Sequence, residues 1–582
     1  MTAGEGRDDA EVPAVGLEVE VEAVEGQDED NREDYEPEEG DRNLLLKDGL
    51  LGSITKKSDI EWRRTPYTPV NSAWEIPVPE HPKPLTPYEY FQQYVPSEMF
   101  QLITTMTNMY AEQSAVRGYK HASVSEIEAL VGLHMAMGVL GLPRVRMYWS
   151  SRIYIGLFQD TLSRDRFFQL RTNLHVVNNN ERPSDNTDVF YKVRPLYDSI
   201  RKRCLELQME ENLSIDEQIV PFRGKLSVLQ YVKGKPEPWG VKVYFLCGKS
   251  GLAYDFLIYQ GATTELSDQS KKILGHGAAV VTHLCQRIQN PNHKLFFDNF
   301  FTTYNVLEVL SGKNIQAAGT ARVCRFANPP LKADKEMSKK GRGSHDEVRS
   351  RDGKVVLVKW FDNRSVVLAS NFVGVGEEDE IERWEQKAGE FVKIKRPEIV
   401  KLYNESMGGV DKFDQLISLY RTTIRSRKWS LRMITHAFDV AVVNSWLEYR
   451  RDQELQGTQP KQVMDLLQFK MAVAEALVRV GKTQSLKKRG RPSSSNKPSP
   501  CMSPTPQPPE EPPKRRAAME RRPIEEVQAD MLDHMPNYDT KKEATRCKLP
   551  GCSGKTHVYC DKCKVHFCFV SQRNCFKYAH RK

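Results

Sequence analysis

The apolar residues of this chain change their period near residue 210, and that change limits the folds open to it. From about Thr86 to Leu207 they recur at helical spacing. Ser123 and Ser125 are both placed as N-caps for the run that follows, and Pro195 sits near the start of a helical stretch from Val193 to Arg201. Past Leu213 the period falls to two. Trp239–Cys247 alternates as a strand, Gly248–Gly251 supplies a turn, and Ala253–Tyr259 returns. A helical segment from Ala278 to Gln289 leads into the short apolar run Lys294–Phe297. Helices followed by strand, hairpin, helix and strand imply a mixed α/β core behind a helical domain.

At 582 residues the chain is too long for one core and implies three or four domains. Its net charge of +8 conceals an asymmetry: residues 1–42 hold seventeen acids and three bases, so the remainder carries +22. That excess makes a polyanion the natural partner of the body, nucleic acid before an anionic membrane. The chain starts with no apolar targeting segment and has no uninterrupted apolar stretch near eighteen residues, so nothing in it reads as secreted or membrane-spanning.

Four aspartates stand in settings that suit a metal site. Asp216 lies within the apolar stretch Leu213–Gly224, and Asp298 ends the run Leu295–Phe297, where a charge at the end of a buried strand needs a partner. Asp411 and Asp414 are three apart on an expected helix, so both can face one way, and Gly408 and Gly409 before them would let that backbone approach a sheet. Two acids on strands and one on a later helix could gather carboxylates around Mg²⁺ or Mn²⁺ for phosphoryl transfer. Alone, acids at 411 and 414 would equally serve a helix start. The 112 residues between Asp298 and Asp411 exceed a simple connection, and Lys354–Trp360, Asp362–Arg364 and Ser365–Ser370 read as strand, turn and strand.

Six of the eleven cysteines fall between Cys547 and Cys575. Cys547, Cys552, Cys560, Cys563, Cys568, Cys575 and His580 have zinc-ligand spacing, with His557 or His566 available as an eighth ligand. Two Zn²⁺ held by alternating pairs, a cross-brace, is the expected topology; a RING- or PHD-like protein-binding module is the rival. So short a segment has little apolar mass, so metal would supply its folding energy. Before it, residues 482–530 are rich in Pro, Ser, Lys and Arg. Within them Arg489-Gly490-Arg491-Pro492 could enter a narrow A·T minor groove or act as a nuclear import signal.

The segments Leu213–Gln218, Lys235–Lys242, Phe297–Thr303, Gly319–Arg322, Tyr403–Gln415 and Arg427–Trp429 together, in this order, resemble the piggyBac transposase family. The resemblance implies an RNase H-like catalytic core with its acidic triad at Asp216, Asp298 and Asp411 and Asp414 as an accessory acid. It also implies Trp429 stacking at a transposon-end junction, Arg427 and Lys428 on phosphates, Arg322 and Arg325 on target DNA, and a cysteine-rich domain recognising transposon-end DNA. The organisation expected is an acidic tail (1–84), a helical DNA-binding and dimerisation domain (85–210), and the core in two parts (211–324 and 396–480) around a β-rich insertion (325–395). A basic linker (481–545) and the zinc domain (546–582) follow. The partners implied are double-stranded DNA, as transposon terminal repeats and a TTAA target, and a second copy of the chain; the place implied is the nucleus. A domesticated relative that binds DNA or chromatin without cutting is the alternative.

Overall fold

The computed structural model describes residues 55–70, 73–74, 85–479 (except 234, 236, 387–388, 423 and 425), 534–540 and 543–580. Residues 1–54, 71–72 and 75–84 of the acidic tail, and Arg489 and Arg491 of the linker, lie outside the described residues. The chain divides into two units, residues 1–487 and 488–582.

In the larger unit the helical part opens with α1 (Pro87–Tyr94), α2 (Ser97–Gln113), α3 (Val124–Leu140), α4 (Arg164–Asn173) and α5 (Arg194–Glu206). Thr86 and Ser123 each close a capping box, with Glu89 and Glu126, so Ser123 rather than Ser125 caps α3. The sheet strands that matter for the site are β1 (Asn212–Pro221), β2 (Trp239–Gly248), β3 (Ala253–Ile258), β4 (Lys294–Phe297) and β5 (Gln316–Thr320). Strands β6 (His345–Ser350), β7 (Val356–Phe361) and β8 (Ser365–Ser370) follow. They form one mixed sheet in the order β6-β7-β8-β5-β4-β1-β2, with β3 on the far side of β2. β1, β4 and β5 run parallel and the other neighbours antiparallel. The hairpin read between 354 and 370 therefore forms, and β8 joins it to the central sheet through Leu368–Ser370 against Ala318–Thr320.

Alternation along the parallel strands loads both faces. Leu295, Phe297 and Ala317 enter the larger core with helices α6 (His276–Leu284) and α7 (Tyr304–Gly312). Phe296 and Ala318 point the other way, into a smaller core with Trp360, Leu368, Ile394, Ile399 and Val400. That second face is covered by the hairpin β9 (Asp379–Glu385) and β10 (Glu390–Arg396) and by α8 (Glu398–Ser406).

Helix α9 (Gly409–Leu419) is followed by the long α10 (Trp429–Leu455) and by α11 (Leu466–Arg479). α10 is buried on nearly every side, and several of its polar residues meet partners on other elements. Asn444 clamps both the N–H (2.7 Å) and the C=O (2.9 Å) of Ala253; Glu448 accepts from Tyr94 Oη (2.8 Å) and Asp452 from Tyr90 Oη (3.0 Å). These contacts tie α10 to β3 and α1. Among the described residues no helix is long and apolar enough to cross a membrane.

The smaller unit is built from short hairpins. β11 (Pro536–Tyr538) pairs with β12 (Val558–Cys560), Thr545–Arg546 with Lys555–Thr556, and Phe569–Val570 with Arg573–Asn574, before the one-turn α12 (Cys575–Ala579). Segment 534–540 thus lies inside this module.

Candidate active site and metal centres

Strand register decides where the first two acids meet. β1 and β4 are parallel with Ile215 opposite Phe297, so the next residues, Asp216 and Asp298, stand side by side. Asp298 Oδ1 accepts the Phe300 N–H (2.9 Å), which fixes its carboxylate in the turn after β4. Asp216 Oδ1 accepts the Glu217 N–H (2.8 Å). Burial, and then the neighbouring Glu217 charge, push both carboxyls above their usual range; Asp298 adds to the rise at Asp216.

α9 brings the remaining acids. A Cβ on Gly409 would fall 2.4 Å from Gly248 O and 2.5 Å from Ser214 Oγ, so only glycine allows the helix start this close to β1 and β2. A Cβ on Gly408 would meet nothing within 4 Å, so Gly409 alone carries the close approach. Asp411, in the first turn, has a side chain 70% exposed. Asp414 accepts from Gln218 Nε2 (3.0 Å) and pairs with Arg421 (3.2 Å), which ties α9 to the same β1 face that carries Asp216. On that face Ser214 Oγ and Gln218 Oε1 are buried with no hydrogen-bond partner among the described residues. Two orphaned oxygens flanking a buried carboxylate suit a hard cation and its water.

Sequence reasoning missed two residues here. Lys235 lies 3.6 Å from Asp411 Oδ1 and donates to Glu217 O (3.4 Å); its ammonium is also held by the charges of Asp216 and Glu217. Tyr403, on α8, feels Asp298, Asp216 and Asp411 together and is pushed up mainly by burial, so its hydroxyl stays protonated beside the acids. Each opens a segment that carries the family resemblance, but neither was given a role there, because each reaches the site through the fold.

The basic and aromatic residues singled out from sequence are partly engaged within the protein. Arg322 Nε donates to Asn299 Oδ1 (3.0 Å), and Arg325 donates to the carbonyls of Asn299 (2.8 Å) and Phe300 (2.9 Å). Both arginines therefore brace the turn that holds Asp298. Trp429 begins α10, half-buried, edge-on to Phe190 at 5.5 Å. Arg427 and Lys428 are exposed just before it, and Lys428 Nζ donates to Thr172 O (3.0 Å). Beside Lys428 opens a cavity of about 450 Å³ lined by Arg144, Arg171, Thr172, Ser426 and Leu431. Burial and Arg432 pull the Arg171 guanidinium down, which marks a concentration of positive charge.

In the smaller unit the cysteines and histidines sort into two groups of four, His534–Cys560–Cys563–His580 and Cys547–Cys552–Cys568–Cys575. Among the described residues these are the groups in which three or more ligand atoms lie within 4.8 Å of one another; no three acids of the larger unit do so. The groups alternate along the chain. Contacts of 3.9 Å (Cys552–Cys568), 3.5 Å (Cys575–Cys552) and 3.4 Å (Cys563 Sγ–His580 Nε2) bracket the edge of about 3.8 Å expected between sulfurs 2.3 Å from one tetrahedral centre. His580 Nδ1 faces Phe576 O (2.8 Å), leaving Nε2 for a metal.

The eighth member of the two groups is His534, and neither His557 nor His566 belongs to them. Those two grip Asp539 instead, at 2.9 and 2.7 Å, and that clamp fastens β11 to the hairpin. His534 escaped notice because it lies thirteen residues before Cys547, in a stretch whose composition reads as linker.

A family model described as Transposase IS4 matches residues 86–446. The human PiggyBac transposable element-derived protein 3 is 31% identical over 420 residues, 71% of this chain and 68% of that protein. The chain belongs to the piggyBac transposase family. The human PiggyBac transposable element-derived protein 2 is 30% identical over 402 residues, 67% of this chain and 66% of that protein. A cryo-EM structure of a piggyBac transposase synaptic complex with hairpin DNA matches with TM-score 0.56 at 22% identity, covering 69% of this chain and 83% of that one; this bears on the fold alone. Membership places the chain among metal-dependent, DNA-cleaving proteins in general.

Proposed function

We propose that this chain is a piggyBac-like transposase that cuts transposon ends through hairpin intermediates and inserts at TTAA. Asp216, Asp298 and Asp411 would hold Mg²⁺ or Mn²⁺, with Asp414 in support. The observation that carries this reading is that Asp216 follows Ile215 on β1 and Asp298 follows Phe297 at the end of β4, where the two strands run parallel in register, with α9 held against β1 and β2 by Gly409. A mixed sheet with acids on parallel strands and a following helix is what an RNase H-like core asks for.

Divalent metal bound there would lower the barrier to attack by water or a 3′-hydroxyl and stabilise the leaving oxygen. Each strand transfer exchanges one phosphodiester for another, so no nucleotide cofactor is required. The protein's own part is placement. Arg322 and Arg325 hold the Asp298 turn and place positive charge where target DNA would lie. Arg427 and Lys428 take backbone phosphates, and Trp429, if freed from Phe190, stacks on a base at the cut end. Lys235 neutralises the acids before metal enters. In the smaller unit His534, Cys560, Cys563 and His580, and Cys547, Cys552, Cys568 and Cys575, would each hold one Zn²⁺, and the module they brace would read transposon-end DNA. Action as a homodimer in the nucleus follows from the need to pair two ends on chromosomal DNA.

A second reading, a domesticated protein that binds DNA without cutting, draws on the dispersed acids and on the ties of Asp414 to Gln218 and Arg421. Excision of a reporter flanked by the element's own terminal repeats separates the two. Excision by the wild type, lost in Asp298→Ala, supports the transposase; tight DNA binding by an inactive wild type would overturn it in favour of the second.

A further inference from the structure

The β9–β10 hairpin turns an unusual face outward. Its inner face, Ile381, Val392 and Ile394, packs on the smaller core. The outer face carries Glu380, Glu382 and Trp384 on β9, opposite Lys395, Lys393 and Phe391 on β10 in strict cross-strand register. Trp384 is 53% and Phe391 66% exposed, edge to face with ring centroids 5.1 Å apart. Two large aromatics this open mark a contact surface rather than a core. Among the described residues the Glu380, Glu382 and Lys393 side chains make no ion pair or hydrogen bond, although their cross-strand neighbours carry the opposite charge, and Lys395 makes only a long contact of 3.9 Å with Glu378.

We propose that this face docks on the same face of a second copy of the chain. One strand is acidic and the other basic, and a two-fold axis parallel to the strands lays each over its opposite. Under that symmetry Glu380 meets Lys395 of the second copy, Glu382 meets Lys393, and Trp384 meets Phe391, so one patch satisfies itself. A nucleic acid is a poor occupant because two glutamates stand on the face and cancel the two lysines. Six residues fall short of the roughly 800 Å² per partner of a standard interface, so the contact is weak and acts where copies are already held close. It stands apart from the cleavage reading, since no residue of the acidic site takes part.

The test uses the zinc-loaded full chain in sedimentation velocity over a concentration series. Glu380→Lys/Glu382→Lys makes the face wholly basic, and Lys393→Glu/Lys395→Glu makes it wholly acidic. Each variant alone should self-associate at least about tenfold more weakly than wild type, and an equimolar mixture of the two should recover association. Carbodiimide should couple Glu382 to Lys393 between isotopically labelled and unlabelled wild-type copies. Unchanged melting of both variants establishes that they fold. Wild-type association by either variant, no recovery in the mixture, or a loss confined to DNA affinity would overturn the proposal. Excision is measured alongside, and its outcome bears only on the cleavage reading.

Discussion

The two candidate metal regions of this protein are built in opposite ways. In the smaller unit eight Cys and His ligands already lie at tetrahedral spacing, on hairpins that bring near neighbours together. In the larger unit the acids come from β1, the end of β4 and α9, remain apart, and repel one another, with Lys235 among them. A structural metal site is closed and supplies folding energy. A catalytic one is kept open and strained, so that metal and substrate complete it together.

The largest effect should therefore come from the closed site. Stripping zinc, or Cys563→Ser, should unfold the smaller unit, because structural zinc contributes about 10–16 kcal/mol in comparable modules and its own core is small. Loss of its circular-dichroism signal and of protease resistance would record this, while the larger unit should melt unchanged. At the open site Asp298→Asn should lower excision about 10³-fold or more, corresponding to several kcal/mol of transition-state stabilisation. The same change should do the reverse for stability without metal. The Asp298 carboxyl is raised in the folded state, so its contribution to metal-free stability is complete below the unfolded value near pH 4 and is lost as pH rises through the folded one. Asparagine keeps the Phe300 contact and removes that decline.

Ligand assignment gives a sharper, smaller contrast. His534→Ala should reduce zinc content from two per chain to about one, by atomic absorption, whereas His557→Ala should retain both. If His557→Ala loses zinc and His534→Ala does not, the assignment is wrong. The smallest effect concerns Lys235. Its replacement by alanine removes a cation that competes for the acids, so Mn²⁺ should bind about threefold to tenfold more tightly even as excision falls.

Much of this organisation is legible in the sequence, and the exceptions have physical causes. The helix-to-strand change near residue 210, the α3 cap and the 354–370 hairpin follow from local patterning, and the alternating cysteine groups from ligand spacing. The expected helix carrying Asp411 and Asp414 ends at Leu419, and the next begins at Trp429. There buried Asp439 accepts from Thr422 N–H (3.0 Å) and Oγ1 (2.9 Å) and from Lys470 (2.8 Å), holding the chain out of the helix. No local signal announces a partner on another helix. Lys235, Tyr403 and the Asn299–Arg322 brace were hidden for the same reason, and His534 because one histidine far from a cysteine pair carries no spacing. The union of β8 with β5 lay beyond patterning altogether, since register between distant strands is set by packing.

The central claim, that Asp216, Asp298 and Asp411 form a cation site held open and under electrostatic strain, is tested most directly by melting the zinc-loaded chain at neutral pH with and without Mn²⁺. For the larger unit's transition, wild type should gain about 2.7 kcal/mol at a hundredfold excess of Mn²⁺ over its dissociation constant. Asp298→Asn should melt higher than wild type without Mn²⁺ and gain nothing from it. An Asp298→Asn protein that is less stable than wild type without metal, yet gains as much from Mn²⁺, would contradict the account.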